Sequence, residues 1–437
     1  MENAMAKTNL KYLIIGNSAG AVGAVETIRN ADPAGSITVV SDEPYPAYSR
    51  PLISKRLGDN RPLEKMLFRT ADFYEKNDVR TSFGHKALKL DIAGRTVELQ
   101  GGTKLAWDRL LLATGGSPIV PPTPGGDLKG VFTFLTLDDA AAIDAFLAGL
   151  PDKSPRAVVI GGGLIGMSVT EALLKRGTQV SIIELKTWIL NALLDPGTAG
   201  VVADKLKSSG VNILTGRTTA KINGDNSGTV SGVTLDDGQN LPADLVIMAI
   251  GVRPRTDLAV GTEIKINRGI VVDRRMMTSV ADIYACGDVA EAYDALYGQN
   301  RVIPIWPNAY VGGRVAGTNM AGGSAEYPGG TVMNSMNYFG VDVVSAGMVV
   351  PPDDSYEILT GKFNNGTRRI VLKNGLVVGL AFTGSVEKSG IVHSLMKQRV
   401  DVSSYKNELL KADFGLASLP RAVWEKQLAG PSAAAHK

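Results

Sequence analysis

Residues 157–184 read AVVIGGGLIGMSVTEALLKRGTQVSIIE, and no other stretch restricts the fold so tightly. Ala157–Ile160 is an apolar run of strand length that ends on Gly161-Gly162-Gly163, with a further glycine at Gly166. A helix-period segment follows, then a second apolar run closing on Glu184, 23 residues after Gly161. This order predicts a strand, a tight turn, a helix and a parallel strand. The glycines serve separate steric ends. Gly161 permits the turn, Gly163 lets a pyrophosphate approach the backbone, and Gly166 lets helix and strand pack closely. The amides at the helix start, around Leu164 and Ile165, lack carbonyl partners and lie at the positive end of the helix dipole. A carboxylate at Glu184 can accept hydrogen bonds from a ribose 2′-OH. The stretch predicts a dinucleotide site.

A chain of 437 residues exceeds one ordinary core and is expected to form roughly two to four domains. Apolar residues at 44%, charged residues at 20% and 50 glycines describe a turn-rich α/β protein. The net charge is only +3 with no lysine/arginine block, so nucleic acid is not indicated as a partner. The single cysteine, Cys286, excludes an internal disulfide, a Cys-x-x-Cys pair and a cysteine-held cluster. Three scattered histidines (His85, His393, His436) offer no metal site. No run approaches ~18 apolar residues, so no membrane span is expected, and the N-terminus lacks an apolar signal region. A cytoplasmic location is expected.

Tyr12–Ile15, Gly16-Asn17-Ser18-Ala19-Gly20-Ala21 and a helix through Arg29 repeat the 157–184 design in weaker form, with a second strand Ile37–Val40 leading to Glu43. The proline-stiffened stretch 44–55 carries Arg50 and Lys55, which can meet phosphate or flavin oxygens. An apolar strand ends in Ala113-Thr114-Gly115-Gly116, and Pro118–Gly126 reads as a hinge. Ala249-Ile250-Gly251 repeats that strand-to-glycine ending. Tyr284-Ala285-Cys286-Gly287-Asp288 ends another strand at a Gly-Asp able to open a helix. After Gly323 short β-like runs surround Asn374-Gly375, a hairpin signal, and a helical stretch covers Gly390–Arg399.

As an ordered set these motifs resemble the pyridine nucleotide–disulfide oxidoreductase superfamily, nearest its cysteine-free branch of ferredoxin, rubredoxin and nitrite-reductase-type NADH reductases. The resemblance implies an α/β fold with two Rossmann-like dinucleotide-binding domains, for FAD and NAD, and a C-terminal α+β domain. The expected boundaries are 1–117 with 243–325 for FAD, 118–242 for NAD, 326–429 for the third domain, and 430–437 as a disordered tail. By position, Gly16, Ser18, Ala19, Glu43, Arg50, Lys55, Thr114 and Gly115 are expected to line FAD, together with Gly251, Gly287, Asp288 and Trp306. Gly161, Gly163, Leu164, Ile165, Gly166 and Glu184 are expected to line the nicotinamide cofactor. Glu184 repels a 2′-phosphate, which favours NADH over NADPH. Lys55 is the candidate catalytic residue, a positive charge beside the flavin.

Two departures from the family stand out. The region 44–56 lacks the redox cysteines of the disulfide reductases, and Cys286 reads as a small buried hydrophobe. Related reductases often place a glutamate two residues after the third glycine; here that position is Ser168, and the next acid is Glu171. With no thiol relay, the expected function is hydride exchange between NADH/NAD+ and FAD, with electrons passing to or from an iron–sulfur or other redox protein. Val332–Ser335 and Ala381–Gly384 resemble flavin subunits of multi-subunit anaerobic oxidoreductases, which implies a hetero-oligomer. The alternatives are a stand-alone NADH oxidase and a nucleotide-binding scaffold without turnover.

Overall fold

Lys11–Ile15 buries four of its five residues, which requires cover on both faces. It lies at the centre of a five-stranded parallel sheet in the order Ile283–Ala285, Arg109–Leu112, Lys11–Ile15, Ser36–Ser41 and Val79–Phe83. A second parallel sheet follows the same plan, in the order Asn212–Thr215, Gln179–Glu184, Arg156–Ile160, Leu245–Met248 and Val131–Thr133. In both sheets the strand before the glycine turn has its next strand on one side and a much later strand on the other. That is a topological switch point, where parallel α/β sheets open a crevice at their carboxyl ends. Gly16 and Gly161 stand at these two points.

The computed structural model describes residues 9–152, 154–363 and 366–428. Its contacts divide the chain into two units. One runs to Ile119 and includes Leu135–Asp144 and Gly251–Thr331; the other comprises Val120–Phe134, Ala145–Ile250 and the chain from Val332 onward. The strand Leu245–Met248 pairs with Arg156–Ile160 in the second unit, and the first unit resumes at Gly251. The two strands that lead into Ala113-Thr114-Gly115 and Ala249-Ile250-Gly251 thus belong to different sheets. The expected tail, 430–437, lies outside the described residues.

In the first unit the helices Ala19–Ala31 and Trp306–Met320 meet through small residues. A Cβ on Gly313 would lie 1.9 Å from the Gly20 carbonyl oxygen, and one on Gly317 would lie 2.3 Å from Thr27 Oγ1. The sequence pattern gives little sign of the later helix because its glycines lower helix propensity. Its start is nonetheless orthodox, with Pro307 in the first turn. Conversely, Gly287-Asp288 opens only a single 3₁₀ turn before the strand Ala290–Asp294.

In the second unit an antiparallel sheet has the order Met333–Tyr338, Val341–Gly347, Leu376–Thr383, Gly366–Lys373 and Glu357–Phe363. Its turn places both Asn374 (φ 50°) and Gly375 (φ 76°) in the left-handed region, as a two-residue hairpin demands. Ile370, Phe382, Val392 and Leu395 form its core with the helix Ser389–Lys397. The helix Pro196–Ser208 also rests on this sheet, and Arg369 Nε lies 3.7 Å from Asp195 Oδ1, the acid that caps that helix. Among the described residues no helix is long and apolar enough to cross a membrane, and no cluster of three His, Cys, Asp or Glu side chains is placed to hold a metal.

A methyl group at position 313 has no space between the two helices. Gly313→Ala is expected to destabilise the first unit by about 1–3 kcal/mol through overpacking; an unchanged chemical-denaturation midpoint would contradict the close approach.

Candidate active site

The turn after Lys11–Ile15 is forced by sterics. Gly16 has φ +115°, its amide donates to Val40 O at 2.8 Å, and a Cβ there would lie 2.0 Å from Ala113 O. Ser18 is extended and precedes the helix Ala19–Ala31, whose first intrahelical bond runs from Val22 N to Ser18 O. The Ser18 side chain makes no capping bond, so it does not satisfy the first-turn amides beginning at Ala19.

The stretch after the second strand gathers charge. Tyr48 Oη donates to Glu43 Oε2 at 2.5 Å, Arg50 Nη2 bonds Glu43 Oε1, and Arg50 Nη1 donates to Leu135 O at 3.1 Å. Arg50 also acts electrostatically on Asp288, whose carboxyl is pushed up by burial and held back in part by that positive charge. Glu43 and Arg50 are therefore brought together, with Asp288 within the field of Arg50. Tyr48, which sequence reasoning does not single out, completes the group. Its only signal is an aromatic two residues before Arg50.

Glu43 differs from Glu184 in register. Ile15 pairs with Val40 and Ile160 with Ile183, so the strand end equivalent to Glu184 is Ser41. Glu43 lies two residues further on and is engaged by Arg50 and Tyr48. Thr114 Oγ1 donates to Arg255 O at 2.7 Å, and Gly115 (φ +71°) accepts from Arg255 N at 2.9 Å. These bonds continue the two-stranded ribbon of Gly116–Pro118 and Val252–Pro254, next to Gly251 (φ +133°). Lys55 is half-buried on the helix Ile53–Asp59. Trp306 begins the helix Trp306–Met320 and meets Phe68 edge-on at 5.1 Å.

Cys286 is fully buried, and a Cβ on Gly20 would lie 2.6 Å from its Sγ. Burial pushes the thiol up to about 12, and the Asp288 charge adds to the shift. Such a sulfur is a packing group that lacks the thiolate needed for redox exchange at neutral pH.

In the second unit the three glycines separate by function. A Cβ on Gly161 (φ +110°) would lie 2.4 Å from Ala249 O, and one on Gly166 would lie 1.9 Å from Gly161 O. A Cβ on Gly163 would meet nothing within 4 Å. Gly161 and Gly166 are therefore demanded by the protein's own packing, whereas Gly163 leaves open space before the first-turn amides of Leu164 and Ile165. Glu184 Oε2 accepts from Gly162 N and Oε1 from Lys186 N, both at 2.8 Å. The carboxylate thus braces the turn and retains acceptor capacity on its remaining lone pairs. The neighbouring cation Arg217 is held by Asp237 at 3.0 Å.

The Tyr338 hydroxyl, on a side chain 3% exposed, donates to Met336 Sδ at 3.1 Å; burial pushes its phenol up, and Ser168, one turn into the helix Leu164–Lys175, acts on it in the opposite direction. The helix Leu164–Lys175 thus packs against the edge strand Met333–Tyr338, a contact invisible in sequence.

The profile of the pyridine nucleotide-disulphide oxidoreductases matches residues 10–313. The chain belongs to this family. It is 32% identical over 418 residues to the NADH-dependent phenylglyoxylate dehydrogenase subunit epsilon of Aromatoleum evansii, covering 94% of this chain and 96% of that one. It is also 32% identical over 396 residues to the nitrite reductase [NAD(P)H] of Bacillus subtilis (strain 168); that match covers 90% of this chain but only 48% of the relative, so this chain spans about half its length. The solved NADH:rubredoxin oxidoreductase of Clostridium acetobutylicum superposes with a TM-score of 0.74 at 26% identity, covering 91% and 97% of the two chains. The protein is an FAD-containing, NADH-dependent oxidoreductase.

Two outcomes check this geometry. Gly166→Ala is expected to cost about 1–3 kcal/mol of stability by overpacking, while Gly163→Ala leaves the denaturation midpoint unchanged and weakens NADH binding in a titration. Cys286 in the native protein is expected to resist alkylation at pH 8 over hours, because its thiol ionises only near pH 12; stoichiometric labelling of folded protein would show an accessible thiolate instead.

Proposed function

We propose that FAD is held at the Gly16 turn and NADH at the Gly161 turn, and that the chain is the NADH-reacting subunit of a cytoplasmic hetero-oligomer whose partner carries iron–sulfur clusters. The observation that carries the two-site reading is the repeated build of the turns. Each ends the strand at its sheet's switch point, and the second has open space where a pyrophosphate would approach Gly163. The subunit reading is supported by the nearly end-to-end match with a relative that is itself named as a subunit.

Bound FAD would supply a two-electron store able to exchange with both a nicotinamide and a one-electron carrier. The chain's own residues bind and orient. In the first unit the amides from Ala19 onward, with Ser18, suit the FAD phosphates, and Arg50 adds a fixed positive charge held by Glu43. Asp288 can accept hydrogen bonds from sugar or ribityl hydroxyls, with Gly287 permitting the approach. Thr114, Gly115 and Gly251 shape the backbone beside the site, and Trp306 contributes an apolar wall. Lys55 would place a cation near the flavin, which favours the electron-rich state of the cofactor.

In the second unit the amides of Leu164, Ile165 and Gly166 suit the NADH pyrophosphate. Glu184 would accept the ribose hydroxyl and disfavour a 2′-phosphate, because the nearby Arg217 is already engaged by Asp237. The buried, protonated Cys286 supports direct electron transfer from the flavin rather than a thiol relay.

The test is to isolate the native protein with its partners, record its 450 nm absorbance, and add NADH. Bleaching by NADH, re-oxidation by a co-purified iron–sulfur subunit and a kcat/KM at least about tenfold higher for NADH than NADPH are expected. Rapid turnover with oxygen alone would favour an oxidase, and comparable use of NADPH would remove the role given to Glu184. Lys55→Met is expected to slow flavin reduction by about tenfold, or ~1.4 kcal/mol, with FAD still bound, as read by stopped-flow absorbance.

A further inference from the structure

The two glycine turns occupy equivalent register positions but are braced by different chemistry. At the second, the middle residue is Gly162, whose amide is held by Glu184 Oε2. A side chain has no room there, since a Cβ would lie 2.9 Å from Ile189 Cγ2. At the first, the strand-end residue is Ser41, and its hydroxyl accepts from Glu43 N at 3.1 Å, within its own segment. The middle residue of this turn is Asn17.

The Asn17 amide bonds through both its ends. Its Oδ1 accepts from Tyr74 Oη at 2.5 Å, and its Nδ2 donates to Tyr45 O at 3.0 Å. Tyr74 Oη in turn accepts from Ala47 N at 3.0 Å. The ring of Tyr74 is fixed edge-on between Phe73 at 5.1 Å and Phe83 at 5.2 Å, the latter on the sheet-edge strand Val79–Phe83. Burial pushes its phenol up, so it remains a proton donor at neutral pH. One amide and one phenol therefore join the Gly16 turn, the extended backbone at Tyr45–Ala47 and the edge of the sheet. That backbone leads directly into Tyr48 and Arg50.

We propose that Asn17 and Tyr74 form a positioning brace for FAD: they set the Gly16 turn against the Tyr45–Arg50 stretch before the cofactor arrives, and so govern how tightly it is retained. The inference rests on the reading that FAD occupies the Gly16 turn. Neither side chain needs to touch FAD. Each holds backbone that does, and pre-ordering such segments removes a cost otherwise incurred on binding.

The experiment is an FAD titration of apoprotein, followed by flavin fluorescence, for the wild type, Asn17→Ala, Tyr74→Phe and the double variant, with Gly16→Val as a reference. NADH binding to each apoprotein is measured alongside. Each single variant is expected to raise the FAD Kd by about tenfold, the scale of one lost hydrogen bond, and to leave the NADH Kd unchanged. The double variant is expected to bind FAD about as weakly as either single one, because the two side chains act as one unit. Independent, multiplying losses, a wild-type FAD Kd in both single variants, or a parallel loss of NADH affinity would each overturn the brace. If Tyr74→Phe fails to fold, Asn17→Ser, which shortens the side chain but keeps the phenol, carries the same expectation. FAD bound by the wild type and retained in Gly16→Val would instead overturn the underlying site reading, so the two failures are distinguishable.

Discussion

Both glycine turns depend on one contact, the approach of a glycine to the carbonyl of an alanine across the switch point. Gly16 faces Ala113 O and Gly161 faces Ala249 O, at separations a Cβ could not share. In each case the same alanine donates its amide back to the residue before the glycine, Ala113 N to Ile15 O and Ala249 N to Ile160 O, both at 2.8 Å. The strand that returns from far along the chain is thereby locked beside the turn. The crevice at the carboxyl ends, the helix start and the strand-end residue all take their places from that lock.

Around this shared frame the two sites diverge in electrostatics. The second is compact: one carboxylate, Glu184, satisfies two backbone amides and leaves lone pairs for a ligand. The first spreads the work over Glu43, Tyr48, Arg50 and Asp288, with Arg50 as the central charge. A half-buried guanidinium is tolerable there because a carboxylate and a carbonyl both accept from it. Cys286 sits beneath this group against Gly20, where burial and the Asp288 charge both favour its neutral form. The structure thus removes the sequence's single thiol from redox chemistry.

Much of this was legible in advance because glycine patterns report backbone sterics, which are local. The steric demands at Gly161 and Gly166 follow from spacing alone, and the structure gives Gly161, Gly163 and Gly166 distinct environments. Other readings failed where the outcome depended on long-range packing. The helix Trp306–Met320 carries glycines that weaken it in isolation, yet they admit the helix Ala19–Ala31. Gly287-Asp288 looked like a helix start, but the following residues were drawn into the strand Ala290–Asp294. The strand Leu245–Met248 resembles Arg109–Leu112 closely enough that sequence could not assign it to its sheet.

The sequence by itself determined two glycine turns, the acid that closes the second, the absence of a paired thiol and the family. These are encoded in residues close together along the chain, where turn geometry and helix dipoles act. Tertiary structure alone decided that Glu43 answers to Arg50 rather than to the strand end, and that Asn17 is held by Tyr74. Those pairings join residues from separate elements, and hydrogen-bond partners in a folded interior are fixed by packing, which no local pattern records.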